Sequence, residues 1–253
     1  MTRIGAGKPP DRRVCILLYQ LRHHHKWLLN LHVAALVTGG KDSTLALHRA
    51  MTEGHRIVSL VTMVPQRADS WMFHSPNVHL TDLFAEAVDI PLVKAETSGV
   101  KEAEVFDLKQ ALAQLSIDGV VSGAIFSHYQ KERIDGICKE LGIKHVTPLW
   151  QEDPLNILKE ILQLKMKTII VGAYANGLTQ QWLGREIDEN TINDLIELNR
   201  RFQVSIVGEG GEYETLVLDA PFFSKRIKLI DTEQIWQGAS GYLLVKKAVL
   251  AVK

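Results

Sequence analysis

Between Leu36 and Ala50 an apolar run stops at two adjacent glycines and resumes as a helical pattern: "LVTGGKDSTLALHRA". A β-type run, a tight turn and a helix in that order make the opening βα unit of a parallel sheet, since parallel neighbours need a long crossover, usually helical, between them. The chain keeps this rhythm as far as Trp150. "VAALV" precedes a helix from Asp42 to Glu53 closed by Gly54, and "IVSLVTMV" reads as a strand buried on both faces. A stripe of Leu80, Leu83, Phe84, Ala87 and Val88 leads into "IPLVKA", and one of Val105, Leu108, Leu112 and Leu115 leads into "DGVVSGAI". Ser127 and Gln130 form a capping box ahead of Ile134, Ile137, Cys138 and Leu141, and "HVTPLW" closes the series. These strand signals with helical crossovers predict an α/β domain over residues 33–150, with a doubly wound five-stranded parallel sheet.

After Trp150 the rhythm changes. Asp153 and Pro154 start a helix, "KTIIVGAY" is a strand, residues 190–201 are helical, and "ETLVLD", "KRIKLI" and "YLLV" are strand-like. The expectation is a smaller C-terminal α+β domain over residues 151–253.

Residues 1–32 hold six of the 29 Lys/Arg and one of the 29 Asp/Glu, and "GAGKPP" breaks structure. They read as a basic, poorly structured extension, with Val33 a candidate alternative translation start. Lys8 precedes two prolines rather than opening a helix, so this is no Walker loop. The "RHHHK" tract at 22–26 is open between a metal tract, a tagging remnant and an arm for an anionic surface. The body that remains is mildly acidic, which argues against a nucleic-acid partner bound through its phosphate backbone. No apolar run approaches the roughly 18–20 residues of a membrane helix, so the chain is expected in the cytoplasm and off the membrane. Cys138 falls on an apolar helical stripe, and with Cys15 the only other cysteine, a buried thiol is expected rather than a disulfide framework.

The loop itself asks for an anion. Free N–H groups at a helix N-terminus carry the positive end of the dipole; Gly39 and Gly40 permit close approach, Lys41 adds a mobile charge, and Ser43 offers a hydroxyl. Asp42 would repel a phosphate, so it either caps the helix or reaches a Mg²⁺ that travels with a nucleotide. A loop that merely turns is the alternative.

"TGGKDS" resembles the S-G-G-x-D-S pyrophosphate loop of the N-type ATP pyrophosphatases (PP-loop superfamily), with Thr38 in place of serine. The resemblance assigns Thr38, Gly39, Gly40, Lys41, Asp42 and Ser43 to ATP and implies cleavage between its α and β phosphates. Four further stretches, "DSWMFHSPNVHLTDLFAEAVDIPLV", "GAIFSHYQKERIDGICKELGIKHVTPLW", "GLTQQWLGREID" and "GEGGEYETLVLDAPFF", are similar to the diphthine-ammonia ligase family, over nearly the whole of Val33 to Lys253. That resemblance implies a ligase that uses ATP and ammonium to amidate diphthine on elongation factor 2. Oligomeric state is left open.

"VGEGGEYETLVLD" runs into a β-type stretch, which excludes a dinucleotide fingerprint because no helix comes after the glycines. Glu209, Glu212 and Glu214 suit a cation, a metal ion or a proton, and the alternative is a glycine-rich turn with solvated glutamates. Under the resemblance, Gly210, Gly211, Glu212, Glu214 and Thr215 bind substrate, and Tyr213 with the glutamates attracts the quaternary ammonium of diphthine. Strand alternation would send Tyr213 to the face opposite Glu212 and Glu214. The implied mechanism forms an acyl-adenylate: Lys41, Asp42 and Mg²⁺ assist departure of pyrophosphate, ammonia displaces AMP, and Glu209 or Glu212 serves as base.

Ser70 and His74 lie beyond a strand end, where ligands collect or a plain surface loop runs. Tyr129, Gln130 and Arg133 sit on the first turns of a capped helix; Arg133 and Arg185 are open between phosphate contacts and surface pairs. Two competing functions remain: another ATP pyrophosphatase acting on tRNA or a small acid, and a nucleotide sensor without turnover.

Overall fold

The computed structural model describes residues 30–66, 77–98 and 100–253. Five strands form one sheet: β1 (His32–Leu36), β2 (Arg56–Pro65), β3 (Leu92–Thr97), β4 (Gly119–Val121) and β5 (Lys144–Val146), in the order β3-β2-β1-β4-β5. Every neighbouring pair is parallel. The order reverses between β1 and β4, and such a reversal opens a crevice at the C-terminal edge where ligands bind. The helices between them are α1 (Lys41–Thr52), α2 (Thr81–Val88), α3 (Lys101–Ala113) and α4 (His128–Leu141).

β1 runs "HVAAL", with Val33, Ala34 and Ala35 all within 1% of full burial, because helices cover both faces of this central strand. Its alternation divides the interior. Val33 and Ala35 face one hydrophobic core with Leu45 and Leu47 of α1; Ala34 faces the other with Val61, Met63, Val120 and the α4 residues Ile134 and Ile137. Each fully buried Leu or Ile in these layers contributes about 1.5–3 kcal/mol relative to exposure. Cys138 belongs to the second core, and burial, with Asp135 adding, pushes its thiol up to about 11, so it behaves as a small apolar side chain. Cys15 lies outside the described residues.

The remainder of the chain supplies α5 (Pro154–Gln163), β6 (Lys167–Ala173), α6 (Glu189–Phe202), β7 (Tyr213–Asp219), β8 (Arg226–Gln237) and β9 (Ser240–Ala251). Asp153 caps α5 by accepting from the N–H groups of Leu155 and Asn156, with Pro154 at the first turn. The four strands form an antiparallel sheet in the order β7-β6-β9-β8. Ile170, Val217, Leu243 and Val245 of this sheet share the first core with α1, α2 and α5, and Leu31–Lys253 forms one compact unit. The second sheet thus rests on the helices that carry the phosphate-type loop. No helix among the described residues is long and apolar enough to cross a membrane.

Two boundaries differ from expectation. Helix α1 starts at Lys41 with Gly40 as its N-cap, and no side chain caps it, so Asp42 is not the cap. β5 stops at Val146, because Thr147–Trp150 turns to deliver the chain to Asp153. The basic extension at residues 1–29, with the "RHHHK" tract and "GAGKPP", lies outside the described residues.

Candidate active site

The loop after β1 turns at Gly39, whose φ of +82° is left-handed and suits glycine. Its carbonyl accepts the N–H of Val217 on β7, and Lys41 N–H donates to Thr215 Oγ1 at 3.1 Å, so the second sheet holds the loop in place. Thr38 and Gly40 N–H reach hydroxyls only at 3.4 Å. The N–H groups of Gly39, Asp42 and Ser43 meet no acceptor among the described residues. Unsatisfied donors at the start of a twelve-residue helix make an anion site.

Lys41 corrects one expectation: its charge is not mobile. The side chain is 3% exposed, and its ammonium donates to the Val207 carbonyl and to Asp42 Oδ2 at 2.8 Å. It also lies 5.2 Å from the centre of the Tyr213 ring. Tyr213 therefore directs its π-face at Lys41, with its hydroxyl donated to the Ile206 carbonyl at 2.7 Å, and is not offered to a diphthine cation. Asp42 keeps Oδ1 buried with no hydrogen-bond partner among the described residues.

The acidic turn divides its three glutamates. Glu209 crosses to the first sheet, where Oε1 accepts the N–H groups of Ile125, Phe126 and Ser127 at 3.3, 2.7 and 2.6 Å, ahead of α4. Glu212 accepts from Ser205 N–H at 3.1 Å and Gly210 N–H at 2.8 Å, which folds the turn upon itself. It does not line the cavity between loop and turn, because both carboxylate oxygens face these amides of its own turn. Glu214, on β7, does line it. Burial pushes the Glu214 carboxyl up to about 7; the Lys41 ammonium opposes the rise and Asp42 adds to it.

That cavity encloses about 820 Å³. Thr38, Gly40, Lys41, Asp42 and Ser43 line it on one side; Gly208–Gly211 with Tyr213–Thr215 line it on the other, and Gln130 and Tyr129 sit on its wall. Gly39 anchors the loop from behind this wall. Tyr174, at the end of β6, also lines it, and burial, with Glu214 and Tyr242 adding, raises its hydroxyl far above the ordinary value. The far end is apolar, with Leu36, Val61, Met63 and Ile134. A volume within the usual range of about 300–1,000 Å³, amides at one end and aliphatic side chains at the other, fits a nucleotide. Gly123 is what lets the walls close: a Cβ there would stand 2.7 Å from the backbone of Asp42 and Ser43.

Other expected residues fall elsewhere. Arg185 pairs with Asp194 and lies 4.7 Å from the Trp182 ring, which is the surface-pair alternative. Arg133 stacks 3.5 Å over Tyr129 and borders a separate groove with Phe106 and Glu140, away from the cavity. Ser70 and His74 lie outside the described residues.

Sequence reasoning missed a linked set behind the cavity wall. Ser122, just past β4, lies 2.8 Å by Oγ from His145 Nε2; His145 Nδ1 lies 2.6 Å from Asp135 Oδ1; and Asp135 Oδ2 accepts from Lys131 Nζ at 2.6 Å. Burial lowers His145 below its ordinary value against the opposing pull of Asp135, so its ring is neutral near pH 7. Burial works to raise Asp135, but hydrogen bonds from Lys131 and His145 outweigh it and hold the carboxylate ionised. His145 is 10 positions from Asp135 and 23 from Ser122, so no local motif exposes the set. A polar residue at the β4 end, beside the strand-order reversal, was the available signal.

Known proteins show the same division of the chain. Residues 31–145 match the profile described as "Diphthamide synthase N-terminal domain" and residues 153–251 that described as "Diphthamide synthase C-terminal domain". The chain is 35% identical over 242 residues to a protein of Schizosaccharomyces pombe named diphthine–ammonia ligase, covering 87% of this chain but 40% of that longer protein. Proteins of the same name from Mus musculus and Homo sapiens are 34% and 32% identical over 235 residues, covering 84% of this chain and 88% of each relative. A solved structure titled "predicted subunit of tRNA methyltransferase", from Methanocaldococcus jannaschii, is more distant: 14% identity and a TM-score of 0.44, covering 76% of this chain and 98% of that one.

Proposed function

The chain belongs to the diphthamide synthase family, and from that premise we propose that it amidates diphthine on elongation factor 2 with ATP and ammonium. One observation carries the reading: the anion-binding loop and the acidic turn line a single cavity, tied together by the contact of Lys41 with Val207, 166 positions further along the chain. A carboxylate resists ammonia because oxide is a poor leaving group. In the proposed reaction its oxygen attacks the α-phosphorus of ATP with loss of pyrophosphate, and ammonia then takes the acyl carbon with loss of AMP.

The residues divide this work by their surroundings. The open N–H groups of Asp42 and Ser43, which line the cavity, would receive phosphate oxygens, and buried Lys41 would set a fixed positive charge behind them. Asp42 Oδ1, buried and unpartnered among the described residues, fits an accompanying Mg²⁺, which would neutralise phosphate charge when bound. For the base that takes a proton from ammonium, Glu214 replaces Glu209 and Glu212. It faces the cavity, and a carboxyl near 7 accepts protons at neutral pH, whereas Glu209, which also lines the cavity, has its Oε1 held by three backbone amides, and Glu212 faces the amides of its own turn. The test is AMP release from ATP in the presence of diphthine-bearing elongation factor 2 and ammonium. The reading expects AMP only when both are present; ATP binding without AMP would make the chain a sensor, and AMP formed with tRNA or a small acid instead would make it a different pyrophosphatase.

A further inference from the structure

The apolar end of the cavity holds a polar group whose hydrogen-bonding sense is fixed from behind. Val120 pairs with His145 and Val121 with Val146 across β4 and β5, so His145 and Ser122 project to the same face of the sheet as Val120. That face is the second core, with Leu36, Val61, Met63 and Ile134, and Ser122 lines the cavity beside them while only 4% exposed.

The donor and acceptor inventory then runs in one direction. Lys131 can only donate, so it takes one oxygen of Asp135; the other oxygen, on an ionised carboxylate, can only accept, so His145 Nδ1 carries the proton. A neutral ring leaves Nε2 as an acceptor, and the Ser122 hydroxyl must donate its single proton there. What Ser122 has left is lone pairs. From this geometry we infer that Ser122, held by His145 and Asp135, is a hydrogen-bond acceptor that reads an N–H or O–H donor on the bound nucleoside, and so selects the nucleotide. The aliphatic neighbours suit a flat base over a ribose, which makes an exocyclic amine, as on adenine, the donor. A 6-oxo purine would set its carbonyl against the serine oxygen. Ser122 acts directly on the nucleoside; His145 and Asp135 are positioning residues.

This inference rests on the proposed use of ATP, and the experiment separates the two. Equilibrium binding of ATP, ITP, 2′-deoxyATP and 3′-deoxyATP is measured calorimetrically on the full chain and on Ser122→Ala and Asp135→Asn. The unaltered chain should prefer ATP to ITP by about tenfold or more, and Ser122→Ala should lose most of that preference. Asp135→Asn makes the sharper case: Lys131 holds the amide oxygen, the amide NH₂ turns to Nδ1, Nε2 becomes the donor, and Ser122 releases its proton to the cavity. The ATP preference should then fall by about tenfold and pass towards ITP. A merely structural role for the set would weaken all four nucleotides together and leave the ratio alone, which overturns the inference. A Ser122-dependent loss confined to the deoxynucleotides would assign the donor to the ribose and overturn the amine. If the unaltered chain binds no ATP, the proposed function falls as well.

Discussion

The phosphate-type loop at residues 38–43 and the acidic turn at 208–215 are both glycine-rich and charged, yet they handle charge in opposite ways. The loop leaves three main-chain donors without acceptors among the described residues and buries its one cation, whereas the turn directs Glu212 and one oxygen of Glu209 at backbone amides and leaves Glu214 on the cavity with no amide holding its carboxylate among the described residues. The difference lies in the element to which each turn leads. A helix after Gly40 strips its first amides of partners, so an anion must come from outside; a strand after Gly211 leaves amides that the turn's own carboxylates satisfy. Composition alone cannot separate a charge that faces substrate from one that holds its own loop together.

The largest test of that contrast is Glu214→Gln, which keeps the shape of the cavity and removes the proton acceptor. Turnover should fall about 10²- to 10⁴-fold with ATP affinity little changed, measured as AMP release and by titration calorimetry. Lys41→Met comes next: loss of a fixed charge behind the phosphates should cost about 10²- to 10³-fold in turnover. Were Lys41 only a structural tie, turnover would track the fraction folded.

A third test concerns stability against pH. A carboxyl at about 7 in the folded chain and near 4.5 when unfolded binds its proton more tightly in the folded state. Stability from this group is therefore full below pH 4.5, falls as pH rises, and is lost by about pH 7. Glu214→Gln removes the penalty, so the variant should exceed the unaltered chain by about 1–3 kcal/mol above pH 7 and by little near pH 4.5, read by denaturant melts across that range. The smallest effect belongs to Glu209→Gln. A glutamine oxygen can still accept from Ile125, Phe126 and Ser127, so turnover should stay within about fivefold, whereas a base would lose about a hundredfold or more.

Much of this was legible in the sequence because it is local. The five parallel strands arise from apolar runs between helical stripes, and the Ser127 and Asp153 caps from single residues ahead of a helix. The open amides arise from two glycines before a helix. What was not legible is non-local. Lys41 reads as a mobile charge until β7 and Val207 are brought beside it, and Glu212 reads as a substrate group until its turn folds back upon it. Tyr213 and Glu214 are adjacent on a strand yet both line the cavity, since Tyr213 stands at the first position of β7, where the turn meets the pleat. The Ser122 set joins two strands and a helix, and only their packing shows it.

Amide nitrogen–proton spectra of the labelled chain during titration with ATP test the central claim most directly. The account predicts that the signals of Asp42 and Ser43 move furthest, downfield in the proton dimension, as their unsatisfied donors acquire phosphate oxygens, while Ser205 and Gly210, already bonded to Glu212, hold nearly still. Large shifts confined to the 205–212 turn, with the loop amides unmoved, would contradict it.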